Sequence, residues 1–284
     1  MSGLLVAIDV DGTLIGEDLK IADVDAAAVR RAIEAGMMVS LATGRLFEAA
    51  LPFADVLRVT APVIALNGAS IFGPQQPGQP PGEFTLLHAV PLERSVALEA
   101  FDALKEHGFH VQLYYDDRLY LDALNDGARL YLRISRVQPV MVKDLRLLLT
   151  DEVPAQVGPM KVLAVGEPDD VVAQISRLAA RLGSRANVFR SQPPFLEVTS
   201  PQANKGAALC WIAGRNGLTR AQTAAIGDSD NDVPMFGTAG RSFAMASGTP
   251  GARAAASRIV AAQNAGGVAE ALSILLHEPA DARP

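Results

Sequence analysis

The hydrophobic positions of the chain fall into two patterns that repeat. Leu4 to Val10 is a nearly continuous apolar run, as expected of a strand buried on both faces of a parallel sheet. Asp23 to Ala35 instead carries apolar residues at Ala26, Val29, Ala32 and Ile33, a helical stripe, and Gly36 ends it. Met37 to Leu41 and Val63 to Leu66 repeat the strand pattern; the first leads into Thr43-Gly44-Arg45 and the second ends in Asn67-Gly68. Strand, helix and strand in alternation predict a doubly wound, Rossmann-like α/β core on a parallel sheet.

The pattern breaks after Ile71-Phe72. Gly73 to Gly82 is rich in Pro, Gly and Gln and cannot build a core, so it reads as an exposed loop. A separate α/β pattern runs from about Pro91 to Ser191. It has helices at Leu92–His107, Asp126–Arg136 and Asp169–Leu182. Its strands are His110–Tyr115, Leu119–Leu121, Lys161–Val165, Ala186–Phe189 and Phe195–Val198. We read an inserted α/β cap domain over residues 86–197, within a core of residues 1–85 and 198–284, with Ser200 to Asn204 as the return hinge. The first pattern then resumes with a helix at Lys205–Ala213 and strands at Thr223–Ile226, Ser242–Met245 and Arg258–Val260. The last eight residues read as a frayed tail.

The chain has 284 residues, which fits one or two domains, and 49% hydrophobic residues supply a large core. A net charge of −6 argues against nucleic acid or an anionic membrane as partner. The lone cysteine, Cys210, excludes an internal disulfide and fits the cytoplasm. The N-terminal apolar run lacks a basic start and is cut by Asp9, unlike a signal peptide, and no run approaches the ~20 apolar residues of a membrane span.

Ligands of open α/β sheets bind outside the carboxyl ends of the strands. Those ends carry Asp9, Asp11, Thr43, Asn67, Asp228 and Asp232, and Lys205 opens a helix. Two like charges ~4 Å apart repel by about 4 kcal/mol at an effective dielectric near 20, so the carboxylates must protonate or hold a cation. Hard oxygen ligands with no His or Cys cluster select Mg²⁺, with Mn²⁺ or Ca²⁺ as substitutes. A cation with a Lys and a Thr suits a phosphoryl group.

Asp9-Val10-Asp11-Gly12-Thr13 resembles the DxDGT signature of haloacid dehalogenase-type phosphatases. Thr43, Lys205 and Gly227-Asp228-Ser229-Asp230-Asn231-Asp232 match that family's other three motifs in order and spacing. The insert's αββ(αβαβ)αββ-like pattern resembles the cap of the Cof-type (IIB) subfamily. The resemblance spans nearly the whole chain and implies a phosphatase of a small phosphate ester. Asp9 would be the nucleophile, and Asp11 would act as acid and then base. Thr43, Gly44 and Lys205 would hold phosphoryl oxygens, with Arg45, Asn67 and Asn231 as substrate contacts. Mg²⁺ would lie on the Asp9 carboxylate, the Asp11 backbone carbonyl and Asp228; Asp232 would orient Lys205 or a metal-bound water. Sugar phosphates are the first expected substrates, then phosphorylated cofactors such as pyridoxal phosphate or flavin mononucleotide. A phosphomutase of phosphomannomutase type and a non-catalytic phosphate-binding regulator remain as alternatives. The sequence does not give the oligomeric state.

Four further expectations concern single residues. Gly12 lets the chain turn after the first strand, with Thr13 bonded inside that turn. Asp230 caps the following helix. Cys210 packs in the core. Arg129, Arg133 and Arg136 form a solvated helix face, and His107 and His110 are separated by the break at Gly108.

Overall fold

The computed structural model describes residues 3–74, 84–150 and 158–278. Most of the Gly73–Gly82 stretch and most of the C-terminal tail lie outside the described residues. The chain divides into two compact units, Met1–His88 with Asn204–Pro284, and Ala89–Ala203.

The first unit opens with β1 (Leu5–Asp9), α1 (Asp23–Glu34), β2 (Met38–Ala42), α2 (Phe47–Leu57), β3 (Val63–Ala65), β4 (Ser70–Phe72) and β5 (Leu86–Ala89). The second unit contains α3 (Arg94–Glu106), β6 (His110–Tyr115), β7 (Arg118–Leu121), α4 (Asp126–Ser135) and β8 (Pro139–Met141). It continues with β9 (Lys161–Val165), α5 (Pro168–Leu182), β10 (Asn187–Gln192) and β11 (Phe195–Thr199). The first unit then closes with α6 (Lys205–Arg215), β12 (Thr223–Gly227), α7 (Val233–Thr238), β13 (Arg241–Met245), α8 (Pro250–Ala255), β14 (Arg258–Val260) and α9 (Gly267–His277).

In the first unit the strands form one sheet in the order β14-β13-β12-β1-β2-β3-β4-β5. β1 pairs in parallel with β2 and β12, and the parallel register runs from β14 through β3. β4 turns back antiparallel on β3. Alternation along β1 explains its unbroken apolar sequence. Val6 and Ile8 join the core beneath α1, α2 and α9, whereas Leu5 and Ala7 join the core beneath α6, α7 and α8.

Three helices, α2, α8 and α9, went unread in the sequence. α2 contains Pro52, which normally breaks a helix, yet Phe47, Ala50, Ala54 and Leu57 are buried at helical spacing and tertiary packing prevails. α9 buries Val268, Ala271, Leu272 and Leu275 in the same way. Cys210 departs from expectation, because it is exposed. The buried stripe of α6 is Lys205, Ala208, Leu209, Ile212 and Ala213, and position 210 lies off it.

The second unit is a six-stranded sheet in the order β10-β11-β9-β6-β7-β8, antiparallel except between β7 and β8. Its element order fits the αββ(αβαβ)αββ pattern, with a 3-10 turn at Leu145–Leu149 in the place of the second bracketed helix. One face, with Val111, Leu113, Val162, Ala164, Leu196 and Val198, packs on α3 and α5. The other carries a buried Lys161–Glu197 ion pair at 3.2 Å, with the ammonium 4.5 Å over the Tyr114 ring. Arg129, Arg133 and Arg136 are exposed, and Arg129 pairs with Asp126 at 3.2 Å. The chain breaks at Gly108, where φ is +78°. His107 Nδ1 contacts the Ala103 carbonyl at 2.9 Å, while the ring nitrogens of buried His110 have no partner.

Candidate active site

The candidate side chains of the first unit converge at the carboxyl edge of its parallel strands. Asp9 is the last residue of β1, Thr43 follows β2, Asn67 follows β3, and Asp228 follows β12. Lys205 is the first residue of α6, a helix capped by Asn204 Oδ1 accepting from the Ala207 N–H at 2.8 Å.

Lys205 is fully buried and holds two carboxylates at once. Its Nζ lies 2.5 Å from Asp9 Oδ1 and 2.6 Å from Asp232 Oδ1. Burial alone would lower its pKa, but Asp232 and then Asp9 more than reverse this and raise it, so the ammonium stays charged. Asp232 is saturated, because its Oδ2 accepts the backbone N–H groups of Asp228 at 2.9 Å and Ser229 at 3.0 Å. Asp9 is different. It is buried, and its Oδ2 has no hydrogen-bond partner.

Burial first, and then Asp232, raise the pKa of Asp9 against the opposing pull of Lys205. Asp228 is raised too, again by burial first and then Asp232. Carboxylate oxygens of Asp9, Asp228 and Asp232 lie within 4.8 Å of one another. An unpartnered buried oxygen in a ring of hard oxygen donors fits a small divalent cation.

The Asp11 carboxylate faces another way. Arg45 Nε and Nη2 reach its two oxygens at 2.7 and 2.5 Å, a two-point contact. Thr43 Oγ1 accepts the Arg45 N–H at 3.0 Å, which leaves the hydroxyl hydrogen for an incoming oxygen. Asn67 Oδ1 accepts from Asn231 Nδ2 at 3.0 Å, and Asn231 Oδ1 accepts from the Ser229 hydroxyl at 2.6 Å. Gly44 packs against the Asn67 amide, where a Cβ would lie 3.1 Å from Oδ1.

Two side chains have roles that the sequence reading placed elsewhere. Thr13 does not bond inside its own turn; its hydroxyl donates to Asp228 Oδ1 at 3.0 Å. Asp230 does not cap the next helix. Ser229 caps a 3-10 turn, Asp230–Asp232, that leads into α7, and Asp230 accepts from the Thr249 hydroxyl at 2.7 Å. Both contacts join loops that follow neighbouring strands of the sheet, and neither leaves a local sequence signal. Gly12 has φ +85°, and a Cβ there would strike the Asp228 carboxylate, so both its conformation and its small size are required.

A doubly wound sheet with buried lysine and carboxylates at its carboxyl edge is the architecture of an α/β enzyme with its site at the strand ends. The profile of the haloacid dehalogenase-like hydrolases matches residues 6–272, and the chain belongs to that family. It is 31% identical over 253 residues to an HMP-PP phosphatase of Cronobacter sakazakii, covering 87% of this chain and 85% of the relative. It is 27% identical over 279 residues to the 5-amino-6-(5-phospho-D-ribitylamino)uracil phosphatase YitU of Bacillus subtilis, covering 94% and 96%. Among solved structures, a Thermotoga maritima protein superposes with a TM-score of 0.81 at 26% identity, covering 96% of this chain and 97% of the other.

Proposed function

We propose that the chain is a Mg²⁺-dependent phosphatase that hydrolyses a small phosphorylated metabolite through an aspartyl-phosphate on Asp9. The observation that carries this reading is Asp9 itself, buried, with one oxygen on Lys205 and the other unpartnered beside two further carboxylates.

In this reading Asp9 Oδ2 attacks phosphorus as the bond to the leaving oxygen breaks, and the Asp11 carboxyl gives its proton to that oxygen. The alcohol departs, leaving an acyl phosphate on Asp9 and a carboxylate on Asp11. Asp11 then takes a proton from water as the water oxygen attacks phosphorus. The bond to Asp9 breaks, releasing phosphate and restoring both groups. Lys205, held by Asp232, and the Thr43 hydroxyl donate to phosphoryl oxygens; Gly44, Arg45, Asn67 and Asn231 line the same edge. Asp9, Asp228 and the Asp11 backbone carbonyl would hold Mg²⁺, with Asp232 beside them. When bound, the ion supplies positive charge for the phosphoryl oxygens.

Likeness to phosphatases named for 5-amino-6-(5-phospho-D-ribitylamino)uracil and HMP-PP supports a small-molecule ester as substrate. The reading places the enzyme in the cytoplasm. Among the described residues no helix is long and apolar enough to cross a membrane.

The test is phosphate release from a panel of phosphorylated metabolites, with Mg²⁺ or with excess chelator, together with intact-mass detection of one phosphoryl group on rapidly quenched enzyme. Asp9→Asn is expected to show neither release nor adduct. Full turnover in chelator, or by Asp9→Asn, overturns the reading.

A further inference from the structure

We propose that Asn67 is a positioning residue: the left-handed loop Leu66–Gly68 sets the spacing of Thr43, Lys205 and Asn231, and the Asn67 amide acts on the phosphoryl group only through Asn231. This rests on the phosphatase reading and replaces the substrate contact that the sequence assigned to Asn67. Leu66, Asn67 and Gly68 have positive φ in succession, at +49°, +56° and +94°. Asn tolerates this region and Gly adopts it freely, but Leu adopts it rarely, so the packing around the loop must hold it there. That packing reaches three other elements. Toward β2, the Asn67 N–H donates to the Thr43 carbonyl and the Leu66 N–H to the Arg45 carbonyl, both at 2.9 Å. Toward β12, Asn67 Oδ1 accepts from Asn231 Nδ2 at 3.0 Å. Toward α6, Gly68 approaches Asn204 so closely that a Cβ would strike its carbonyl oxygen, and Asn204 caps the helix that Lys205 opens.

The Asn231 amide is oriented as well as placed. The Ser229 hydroxyl donates to Asn231 Oδ1 at 2.6 Å, so Nδ2 is the atom turned toward Asn67. One of its two hydrogens is used by Asn67 Oδ1, and the other remains for a phosphoryl oxygen. Asn67 is buried, and its amide packs on Gly44, where a Cβ would lie 3.1 Å from Oδ1. A buried amide set between Gly44 and Asn231 holds apart two sides of the phosphoryl cradle. Donors fixed before the substrate arrives need no rearrangement during the reaction, and a misplacement of about 1 Å can cost on the order of 10²-fold in rate.

Glycine keeps the left-handed backbone without steric cost, so Asn67→Gly removes the amide and leaves the loop. Wild type, Asn67→Gly, Asn231→Ala and the double variant are compared with nitrophenyl phosphate in single turnover, with enzyme in saturating excess and Mg²⁺ present. Urea midpoints and the affinity for inorganic phosphate, by isothermal titration, are measured on the same proteins. Asn67→Gly is expected to slow the first turnover by up to about 10²-fold and to weaken phosphate binding. The double variant should be no slower than Asn231→Ala, because the strut acts through that side chain. Losses that multiply in the double variant would make Asn67 a phosphoryl ligand in its own right and overturn the inference. A lowered urea midpoint with unchanged rate and phosphate affinity would reduce the loop to a stabilising role and overturn it too. Either result leaves the phosphatase reading intact, whereas a wild-type enzyme that releases no phosphate from any ester overturns both.

Discussion

The Thr13 hydroxyl donates to Asp228 Oδ1 at 3.0 Å, tying the loop after β1 to the loop after β12 across 215 positions of sequence. Asp228 belongs to the carboxylate cluster that fits a cation, so Thr13 orients a candidate ligand without touching the ion. Thr13→Val keeps the shape and removes the hydrogen bond. Loss of such support typically costs ~10–100-fold in metal affinity, and that is the expected fall for Mg²⁺. Isothermal titration of chelator-stripped protein measures it; an unchanged affinity would show that Thr13 does not hold Asp228 in place.

The raised pKa values of Asp9 and Asp228 set a pH dependence with a definite sign. A carboxyl whose folded pKa exceeds its unfolded value of about 3.9 binds more protons folded than unfolded between those two values. Metal-free stability contributed by these groups therefore falls as pH rises from about 4 through the raised folded values. Mg²⁺ binds the ionised form, so its affinity rises over the same interval. The gain in Tm produced by Mg²⁺ should widen as pH rises from about 4 through the raised folded values. A gain constant across that range would contradict the assignment.

Lys205 is the cation shared by Asp9 and Asp232 in a fully buried setting. Lys205→Met keeps much of the volume but strands two buried carboxylates. Removing one partner of a buried ion pair typically costs about 3–5 kcal/mol, and urea unfolding in chelator at neutral pH should show a loss of that order. Acidification, which neutralises the stranded groups, should recover part of it. A variant as stable as wild type at neutral pH would mean that the carboxylates find another partner.

His110 titrates in the opposite sense. Burial, the largest influence, lowers its pKa from 6.5; Gln112 and Asp122 act to raise it and Lys105 to lower it. Burial outweighs these influences and favours the neutral imidazole in the folded protein. The contribution is present above the unfolded pKa of about 6.5 and is lost as pH falls toward the lower folded value. Between about pH 7 and about pH 5, wild type should lose stability relative to His110→Phe. Parallel pH profiles of the urea midpoint for the two proteins would exclude this source of acid sensitivity.

Much of the core was legible because β1, β2, β3 and β12 are apolar, almost wholly buried, and lead into candidate site residues. β9 and β14 fall where the apolar runs place them, and the helix that begins at Lys205 begins there in the structure. α2 stayed hidden because Pro52 overrides a local reading, although Phe47, Ala50, Ala54 and Leu57 keep helical spacing. Cys210 was misplaced because neighbours in sequence are not neighbours on a helix face. At the candidate site the residue types could be read, but their pairing could not. Nothing near Arg45 signals that its fork closes on Asp11, and nothing near Thr13 signals Asp228. Such contacts are set by strand order, which places β12 beside β1.

That strand order has a consequence for how the protein is made. β1 emerges from the ribosome well before β12, and one of its edges stays open until β12 has been synthesised, because Leu5 pairs with Thr223. The contiguous Ala89–Ala203 unit is complete before that partner exists. Pairing across so long a span is slow, and an unpaired apolar strand edge invites association with other chains. The newborn chain thus carries Asp9, the proposed nucleophile, on an apolar strand with one edge bare, and a circular permutant that brings β12 next to β1 in sequence would shorten the interval during which that edge lies bare.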